Sequence, residues 1–289
     1  MRARLDQHFL KDHGVRDRIL AAARLEPGDS VVEIGPGRGF LTAALLARAP
    51  VTAVEMDERL AAALGANIAA AGGPAPVPVT GPVPGSGPVP ASGSVPSAGL
   101  PPGLRLIVSD FLKVEPRDLG KPPLKFVSNL PYSVATPILQ RILSWDCWSS
   151  AVLMFQKEVA ERIIASPGGR DYGVLTLSTA IKASAELVTF APCEAFSPKP
   201  KVESAVVRLT RRAVPLVPPE GESAFFRVCR AAFSQRRKKV INPLASAFPV
   251  SRERIAAVLE ECGIPASARA EEIPLDGFLR LAAKLGSSE

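Results

Sequence analysis

The stretch Asn129-Leu130-Pro131-Tyr132 combines the groups needed to hold a flat, nitrogen-rich ring. The Asn129 amide offers an acceptor oxygen and two N–H donors, and Tyr132 offers a flat apolar face with a hydroxyl group. Pro131 fixes the backbone between them and has no N–H of its own. The stretch therefore predicts a site that binds a planar heterocycle by its edge and its face; a strand-ending turn with a buried tyrosine is the structural alternative.

The residues before this stretch supply the element that positions it. Lys125-Phe126-Val127-Ser128 is a short apolar run of the kind that forms a buried strand. In doubly wound α/β folds, ligands bind at the edge of the sheet where such parallel strands end. The pattern places Asn129 to Tyr132 at the ligand-binding edge of a predicted α/β sheet.

A glycine-rich turn near the amino terminus predicts a second part of the same edge. The β-rich run Ser30–Ile34 leads into Gly35-Pro36-Gly37-Arg38-Gly39, and a helical pattern starts at Phe40. A strand, a glycine-rich turn and a helix in that order let the backbone approach a ligand closely. Glu33 lies where a carboxylate could meet a cation, which disfavours a pyrophosphate ligand; a tight structural turn is the alternative.

Two carboxylates follow predicted strands and add to this site. Glu55 ends the run Val51–Val54, about 20 residues after the first glycine, where this fold class places the acid that binds ribose hydroxyls. Asp110 follows Leu104–Val108, where it could accept a hydrogen bond from an exocyclic amine with Phe111 or Leu112 beside the ring; a helix or turn cap is the alternative. Together, the glycine turn and Glu55 favour a nucleoside-containing cofactor.

Composition divides the chain into two predicted domains. We expect a Rossmann-like domain over residues 1–210 and a helical domain over residues 211–289, because the later helical patterns (225–233, 252–261 and 277–285) have no strands between them. Residues 72–103 consist almost entirely of Gly, Pro, Val, Ser and Ala. This composition predicts a disordered or polyproline-like insertion in the first domain.

Basic residues predict a polyanionic partner. The net charge is +7 and the isoelectric point is near 9.5. The loop Phe196–Val202 carries an aromatic residue that we expect to be exposed, beside Lys199 and Lys201, which suits stacking on a splayed-out base. Phosphate contacts are predicted for a second basic surface in the helical domain, formed by Arg227, Arg230, Arg236, Arg237, Lys238 and Lys239.

Several classes of protein are disfavoured by composition. The four cysteines are widely spaced without a C-x-x-C pair, which argues against a disulfide framework or a zinc site. With His8 and His13 as the two histidines, a metal centre is not predicted. No apolar run reaches about 18 residues, and the amino terminus lacks the apolar core of a signal peptide. We therefore expect a soluble, cytoplasmic protein.

Taken in order, these motifs resemble those of the KsgA/RsmA family of small-subunit rRNA adenine dimethyltransferases. The resemblance covers nearly the whole chain except Gly72 to Gly103. It rests on Gln7-His8-Phe9-Leu10, Glu33 to Gly39, Glu55-Met56-Asp57, Asp110, Asn129 to Tyr132, Phe196 to Ser204 and Phe233 to Lys238.

The resemblance implies a Rossmann-like methyltransferase sheet with a small helical domain, and S-adenosylmethionine as methyl donor. The implied acceptors are two adjacent adenosines near the 3′ end of the 16S rRNA, in a pre-ribosomal particle. The Asn129 amide oxygen and the Leu130 carbonyl would accept hydrogen bonds from the adenine amine. Pro131 would fix the backbone between these groups and Tyr132. Tyr132 and Phe196 would sandwich the flipped base, and the enzyme would act as a monomer without a metal.

The resemblance also implies a cofactor site. Gly35 and its neighbours would approach the methionine part, Glu55 the ribose, and Asp110 the cofactor adenine. Gln7 and His8 would cover the cofactor, although the family usually has Asn where this chain has His8. The full set of implied cofactor residues is Gln7, His8, Leu10, Glu33, Gly35, Gly37, Glu55, Asp110, Phe111 and Asn129.

Two other functions stay open at this point. A large-subunit rRNA adenine methyltransferase of the macrolide-resistance type would share the cofactor site. A non-catalytic RNA-binding assembly factor would share the basic surface, although intact candidate cofactor and amine-acceptor positions argue against a pure binding protein.

Overall fold

The computed structural model describes residues 7–70, 72 and 99–286, so most of the predicted insertion at 72–103 lies outside the described residues. The helices and strands in chain order are β1 (Phe9–Leu10), α1 (His13–Ala23), β2 (Ser30–Ile34), α2 (Phe40–Leu46), β3 (Val51–Glu55), α3 (Glu58–Ala70), β4 (Leu104–Val108), β5 (Leu124–Asn129), α4 (Ala135–Leu143), β6 (Trp148–Gln156), α5 (Lys157–Ile164), α6 (Val174–Ala180), β7 (Ala183–Ala191), β8 (Phe196–Ser197), β9 (Ser204–Arg211), α7 (Glu222–Phe233), α8 (Ile241–Ala247), α9 (Arg252–Glu261) and α10 (Leu275–Leu285).

Seven of the described strands form one sheet in the order β4-β3-β2-β5-β6-β9-β7, and β1 and β8 form a separate two-stranded sheet. Strands β2 to β6 pair in parallel, and β9 pairs antiparallel with β6. The order reverses between β2 and β5, so their carboxyl ends form the crevice where this class of sheet binds ligands. The predicted α/β fold is confirmed, with the glycine turn and the Asn129 stretch on neighbouring strands.

Burial explains why the central strands read as apolar runs. All five residues of β3 are buried, as expected for a parallel strand covered on both faces.

Helix α1 begins at the cap residue Asp12, whose carboxylate accepts from the Val15 backbone N–H at 2.7 Å. The Ser128 hydroxyl accepts from the Ile34 backbone N–H at 2.7 Å, which ties the end of β5 to the end of β2.

The chain divides into two compact units. One consists of the chain through Ala160 together with Glu186–Thr210, and the other of Glu161–Ala185 together with the chain from Arg211. This division differs from the single boundary predicted at residue 210, because Tyr172 in the segment 161–185 is buried in the core around Phe225.

The second unit is helical around its own core. Helices α7 and α10 contribute Phe225 and Phe278, both fully buried, and the ring of Phe233 stacks on Phe278 with centroids 5.6 Å apart. Helix α8 adds Ile241 and Leu244 to this core and was not predicted from the sequence. Within residues 7–70, 72 and 99–286, no helix is both long and apolar enough to span a membrane.

Candidate active site

A cavity of about 310 Å³ opens in the first unit where β2, β3, β4 and β5 end. Its size lies at the lower end of the range for small-molecule sites, about 300–1,000 Å³. The predicted site residues in its wall are Gln7, His8, Gly35, Glu55, Asp110, Phe111, Asn129, Leu130, Pro131 and Tyr132. Of the predicted cofactor and base-binding residues, four are not part of this wall, namely Leu10, Glu33, Gly37 and Phe196.

One end of the Asn129 side-chain amide is hydrogen-bonded and the other end is not. Its Nδ2 donates to the backbone carbonyl of His8 at 3.1 Å. Its Oδ1 is buried and has no hydrogen-bond partner among the described residues. Because a carbonyl only accepts, the contact with His8 identifies the nitrogen and leaves the oxygen as an acceptor in a cavity wall. A buried acceptor without a partner is uncommon and favours a ligand that brings a donor.

Two contacts orient the Tyr132 side chain, one at its hydroxyl group and one on a face of its ring. Its hydroxyl lies 2.6 Å from Ser204 Oγ, and its ring centroid lies 5.5 Å from that of His8 at a tilt of 31°. The His8 Nδ1 lies 2.8 Å from the Pro198 carbonyl oxygen, so this nitrogen carries the hydrogen. Burial raises the pKa of Tyr132, which keeps its hydroxyl protonated at neutral pH.

Glu55 anchors the glycine turn while it faces the cavity. Its Oε2 accepts from the Gly37 backbone N–H at 3.2 Å, and its Oε1 accepts from the Asp57 backbone N–H at 2.9 Å. Burial raises the pKa of Glu55, and the backbone N–H groups oppose that rise. Each oxygen keeps a further lone pair, so the carboxyl group can still accept hydrogen bonds from a ligand diol.

The glycine turn needs its glycines for two reasons. Gly35, in the cavity wall, has a φ of +68°, and Gly37 has a φ of +57°, both in the left-handed region. A Cβ on Gly37 would lie 2.9 Å from the Phe9 ring. The Arg38 guanidinium lies 4.7 Å from the centroid of the same ring. Phe9 therefore packs directly on the glycine turn.

Asp110 caps a turn and also lies in the cavity wall. Its Oδ1 accepts from the Leu112 backbone N–H at 2.9 Å, which caps the short 3₁₀ helix Phe111–Lys113. The residue also lies in the cavity wall with Phe111 beside it. The turn cap and a ligand contact are compatible, because the carboxylate has a second oxygen.

Glu33 is buried next to the site rather than in it. Only 2% of its surface is exposed, its Oε2 has no hydrogen-bond partner in the described part of the chain, and burial raises its pKa to about 8. The group is therefore mainly neutral at pH 7, and the structure does not bring it to a position where a carboxylate meets a bound cation.

We expect Glu33→Gln to flatten the pH dependence of stability. The folded-state pKa of about 8 exceeds the ordinary value of 4.5, so folded chains bind more protons between these values. The free energy of unfolding of the wild type should then fall as pH rises, by up to about 1.4 kcal/mol per pH unit from this group. Urea unfolding from about pH 5 to about pH 8 measures this slope. The control variant, Glu58→Gln, changes an exposed carboxyl group and should keep the wild-type slope. Equal slopes for wild type and Glu33→Gln would contradict the raised pKa of Glu33.

Phe196 does not occupy the exposed position predicted for it. Only 2% of its surface is exposed, and it belongs to the same core as Leu10. Strand β8 pairs antiparallel with β1, with Leu10 opposite Phe196, and this pairing turns the ring inward. The expectation of an exposed stacking aromatic is therefore wrong, and Leu10 contributes to packing rather than to the cavity wall.

The predicted basic residues have different surroundings. In the first unit, Lys199 pairs with Glu194, while Lys201 is exposed. In the second unit, Arg236 donates to the backbone carbonyls of Arg170 at 2.9 Å and Tyr172 at 3.3 Å.

Five other basic residues of the second unit are divided between aromatic contacts and open surface. The Arg227 guanidinium lies 4.5 Å from the centroid of the Phe248 ring, and that of Arg230 lies 5.7 Å from the Phe226 centroid. The exposed remainder is Arg237, Lys238 and Lys239. Their exposure is compatible with the predicted phosphate contacts, which stay a prediction.

Sequence reasoning missed several residues of the site. The cavity wall also contains Phe9, Ile34, Val54, Met56, Leu60, Ser109, Val134 and Ile138. Most of these flank residues that were predicted, so their places at the ends of strands are a usable signal. Ser204 and Pro198 lie in the motif Phe196 to Ser204, but no local pattern indicated their contacts, because their partners are distant in sequence. The described residues contain no group of three or more His, Cys, Asp or Glu side chains that could hold a metal ion.

Comparisons with known proteins identify relatives over nearly the whole chain. The family described as "Ribosomal RNA adenine dimethylase" matches residues 1–75 and 99–286. "Ribosomal RNA small subunit methyltransferase A" of Dehalococcoides mccartyi is 36% identical over 97% of this chain and 88% of the relative. The protein of that name from Methylobacterium radiotolerans is 41% identical over 96% of this chain and 86% of the relative.

Two solved structures are similar over nearly their full length. The 23S rRNA methyltransferase ErmE is 27% identical, with a TM-score of 0.69 over 96% of this chain and 100% of ErmE. A dimethyladenosine transferase from Plasmodium falciparum has a TM-score of 0.73 over 96% of this chain and 98% of that one. At 24% identity, the second comparison supports the fold alone.

Proposed function

The chain belongs to the ribosomal RNA adenine dimethylase family, and on that premise we propose that it dimethylates two adjacent adenosines in a hairpin near the 3′ end of 16S rRNA. Each adenosine would receive two methyl groups on its N6 amine, with S-adenosylmethionine as donor, during ribosome biogenesis. The observation that carries the proposal is the buried, unpaired Oδ1 of Asn129 in the cavity wall. It is an acceptor without a donor, which an exocyclic amine would supply.

The cavity wall suits the cofactor. Glu55 offers carboxyl oxygens to the ribose hydroxyls, Gly35 brings backbone close to the methionine part, and Asp110 can accept the adenine amine. His8 and Gln7 lie in the wall where they would cover the bound molecule. The cofactor supplies an electrophilic methyl group whose transfer needs no metal.

The chain's own residues then contribute mainly placement. The amine of adenine is a poor nucleophile because its lone pair is delocalised into the ring. Asn129 Oδ1 and the Leu130 carbonyl would accept hydrogen bonds from its two N–H groups, favour a pyramidal nitrogen and aim the lone pair at the methyl group. The methylated nitrogen would then release one proton to water. The Leu130 backbone N–H donates to the Met154 carbonyl at 3.4 Å, which holds this peptide on the sheet. Tyr132 would stack on the flipped base.

Contacts with rRNA outside the cavity would come from basic side chains of both units. In the first unit, Lys201 is exposed and suited to phosphate oxygens, and Lys199 would add positive charge. In the second unit, Arg237, Lys238 and Lys239 are exposed and suited to the same role, and Arg227, Arg230 and Arg236 would add positive charge. We propose that the enzyme acts as a monomer on a pre-ribosomal particle in the cytoplasm.

A second candidate function comes from the likeness to ErmE, which acts on 23S rRNA. Methyl transfer to large-subunit rRNA would use the same cofactor site. The small-subunit relatives are more similar in sequence, at 36% to 41% identity against 27%, and they favour the first function. A non-catalytic assembly factor would not need an amine acceptor in the cavity.

One experiment separates these functions. Tritium transfer from labelled S-adenosylmethionine would be measured in parallel on under-methylated small subunits and on large-subunit rRNA, with the product nucleoside identified by mass. We expect N6,N6-dimethyladenosine in small-subunit rRNA alone. Product in large-subunit rRNA would support the second candidate, and no product on either would favour an assembly factor.

A further inference from the structure

Ser204 connects a rigid strand to the residue that would stack on the base. It is fully buried and begins β9, where it lies opposite Gln156 of β6 in the central sheet. Its Oγ lies 2.6 Å from the Tyr132 hydroxyl. Tyr132 itself sits on a short 3₁₀ turn after β5, so its ring depends on side-chain contacts for a fixed orientation. The hydroxyl of Ser204 supplies such a contact at the rim of the ring.

His8 supplies a contact on one face of the same ring. Its imidazole is held by the Pro198 carbonyl at 2.8 Å and lies 5.5 Å from the Tyr132 ring, centroid to centroid. A flat base between two rings needs about 7 Å, which is two contact distances of about 3.5 Å. The gap is too narrow for that. A base therefore has to stack on the opposite face of Tyr132, and His8 supports the ring from behind.

Both supports depend on one segment, Phe196–Ser204. Ser204 contacts Tyr132 directly, and Pro198 holds His8 through its carbonyl. Phe196, the aromatic residue of that segment, is buried in the core and shows no free face. We propose that this segment orients Tyr132 for stacking on the base through two positioning residues. Ser204 fixes the hydroxyl at the rim of the ring, and His8, held by Pro198, supports the rear face. The proposal rests on the proposed function for the identity of the base; the positions of the supports do not.

Enzyme kinetics test the role of Ser204. We expect Ser204→Ala to lower kcat/KM for small-subunit rRNA about three- to tenfold, the effect of one lost hydrogen bond, with unchanged cofactor affinity by calorimetry. Tyr132→Phe removes the same bond from the other side, so the double variant should be no worse than the more affected single variant. Ser204→Thr keeps a hydroxyl and should recover activity, and Ser197→Ala, an exposed serine of the same segment, should match wild type.

A spectroscopic measurement tests the positions without any reaction. The chain has two tyrosines, so fluorotyrosine labelling gives two fluorine NMR signals, and Tyr132→Phe assigns them. Ser204→Ala and His8→Ala should each shift or broaden the Tyr132 signal and leave the Tyr172 signal in place. An unchanged Tyr132 signal, or additive kinetic losses in the double variant, would overturn the proposal. If the wild type methylates no rRNA while the Tyr132 signal responds, the proposed function fails and the positioning role stands.

Discussion

Asn129→Ala is expected to lower the rate of methyl transfer by about 10²–10³-fold, the usual effect of removing one hydrogen-bonding group from a preorganised site. The variant loses Oδ1, the buried acceptor that has no partner within the described residues. It also loses the donor to the His8 carbonyl, which sits at the surface of the cavity. Single-turnover tritium transfer to under-methylated small subunits measures the rate, and calorimetry with the cofactor should show nearly unchanged affinity.

Two further variants locate the effect. Asn129→Asp keeps an acceptor but replaces the donor to His8 with a second oxygen, so it should also be strongly impaired, because two acceptors then face each other. Asn67→Ala, on α3 in the same unit, is the matched control and should transfer methyl groups at the wild-type rate. Wild-type activity of Asn129→Ala on small subunits would remove Asn129 from the mechanism.

Glu55→Ala is expected to weaken cofactor binding about 10- to 100-fold, which corresponds to the roughly 1.5–3 kcal/mol of hydrogen bonds to a charged group. The loss has two parts in this structure. The ribose loses its acceptor, and the backbone N–H groups of Gly37 and Asp57 lose the carboxyl group that holds them. Titration calorimetry measures the dissociation constant.

The two parts of the Glu55 effect can be separated. Glu55→Gln keeps one acceptor oxygen for the backbone and should bind the cofactor with intermediate affinity, because the second position becomes a donor. Glu58→Ala removes an exposed carboxylate from the first turn of α3 and should bind as wild type does. An unchanged dissociation constant for Glu55→Ala would reject the ribose assignment.

The parts of the fold that follow from local pattern were predictable. Strand β2 has its predicted bounds, Ser30–Ile34, because a β-rich run lies between Pro27-Gly28 and the glycine turn. Helix α9, Arg252–Glu261, also has its predicted bounds, since Ser251 caps it and Gly263 follows it. In contrast, β7 was missed, because its buried and exposed residues do not alternate along Ala183–Ala191.

The parts of the site that depend on distant partners were not predictable. Asn129 was identified because it ends a strand at the ligand-binding edge, but the direction of its oxygen is set by His8, 121 residues away. Phe196 was expected to be exposed, because prolines and lysines surround it in the sequence. Its burial follows from the pairing of β8 with β1, which no local pattern records.

That pairing also sets the time at which a newly made chain can become active. His8 meets Pro198 across a separation of 190 residues. A ribosome that adds about 5–20 residues per second needs roughly 10–40 s to make that length of chain. Tyr132 is made before Pro198 and Ser204, so at first its ring lacks the contacts that orient it. Each nascent chain therefore completes its catalytic site only late in translation, after the segment 161–185 of the second unit has left the ribosome.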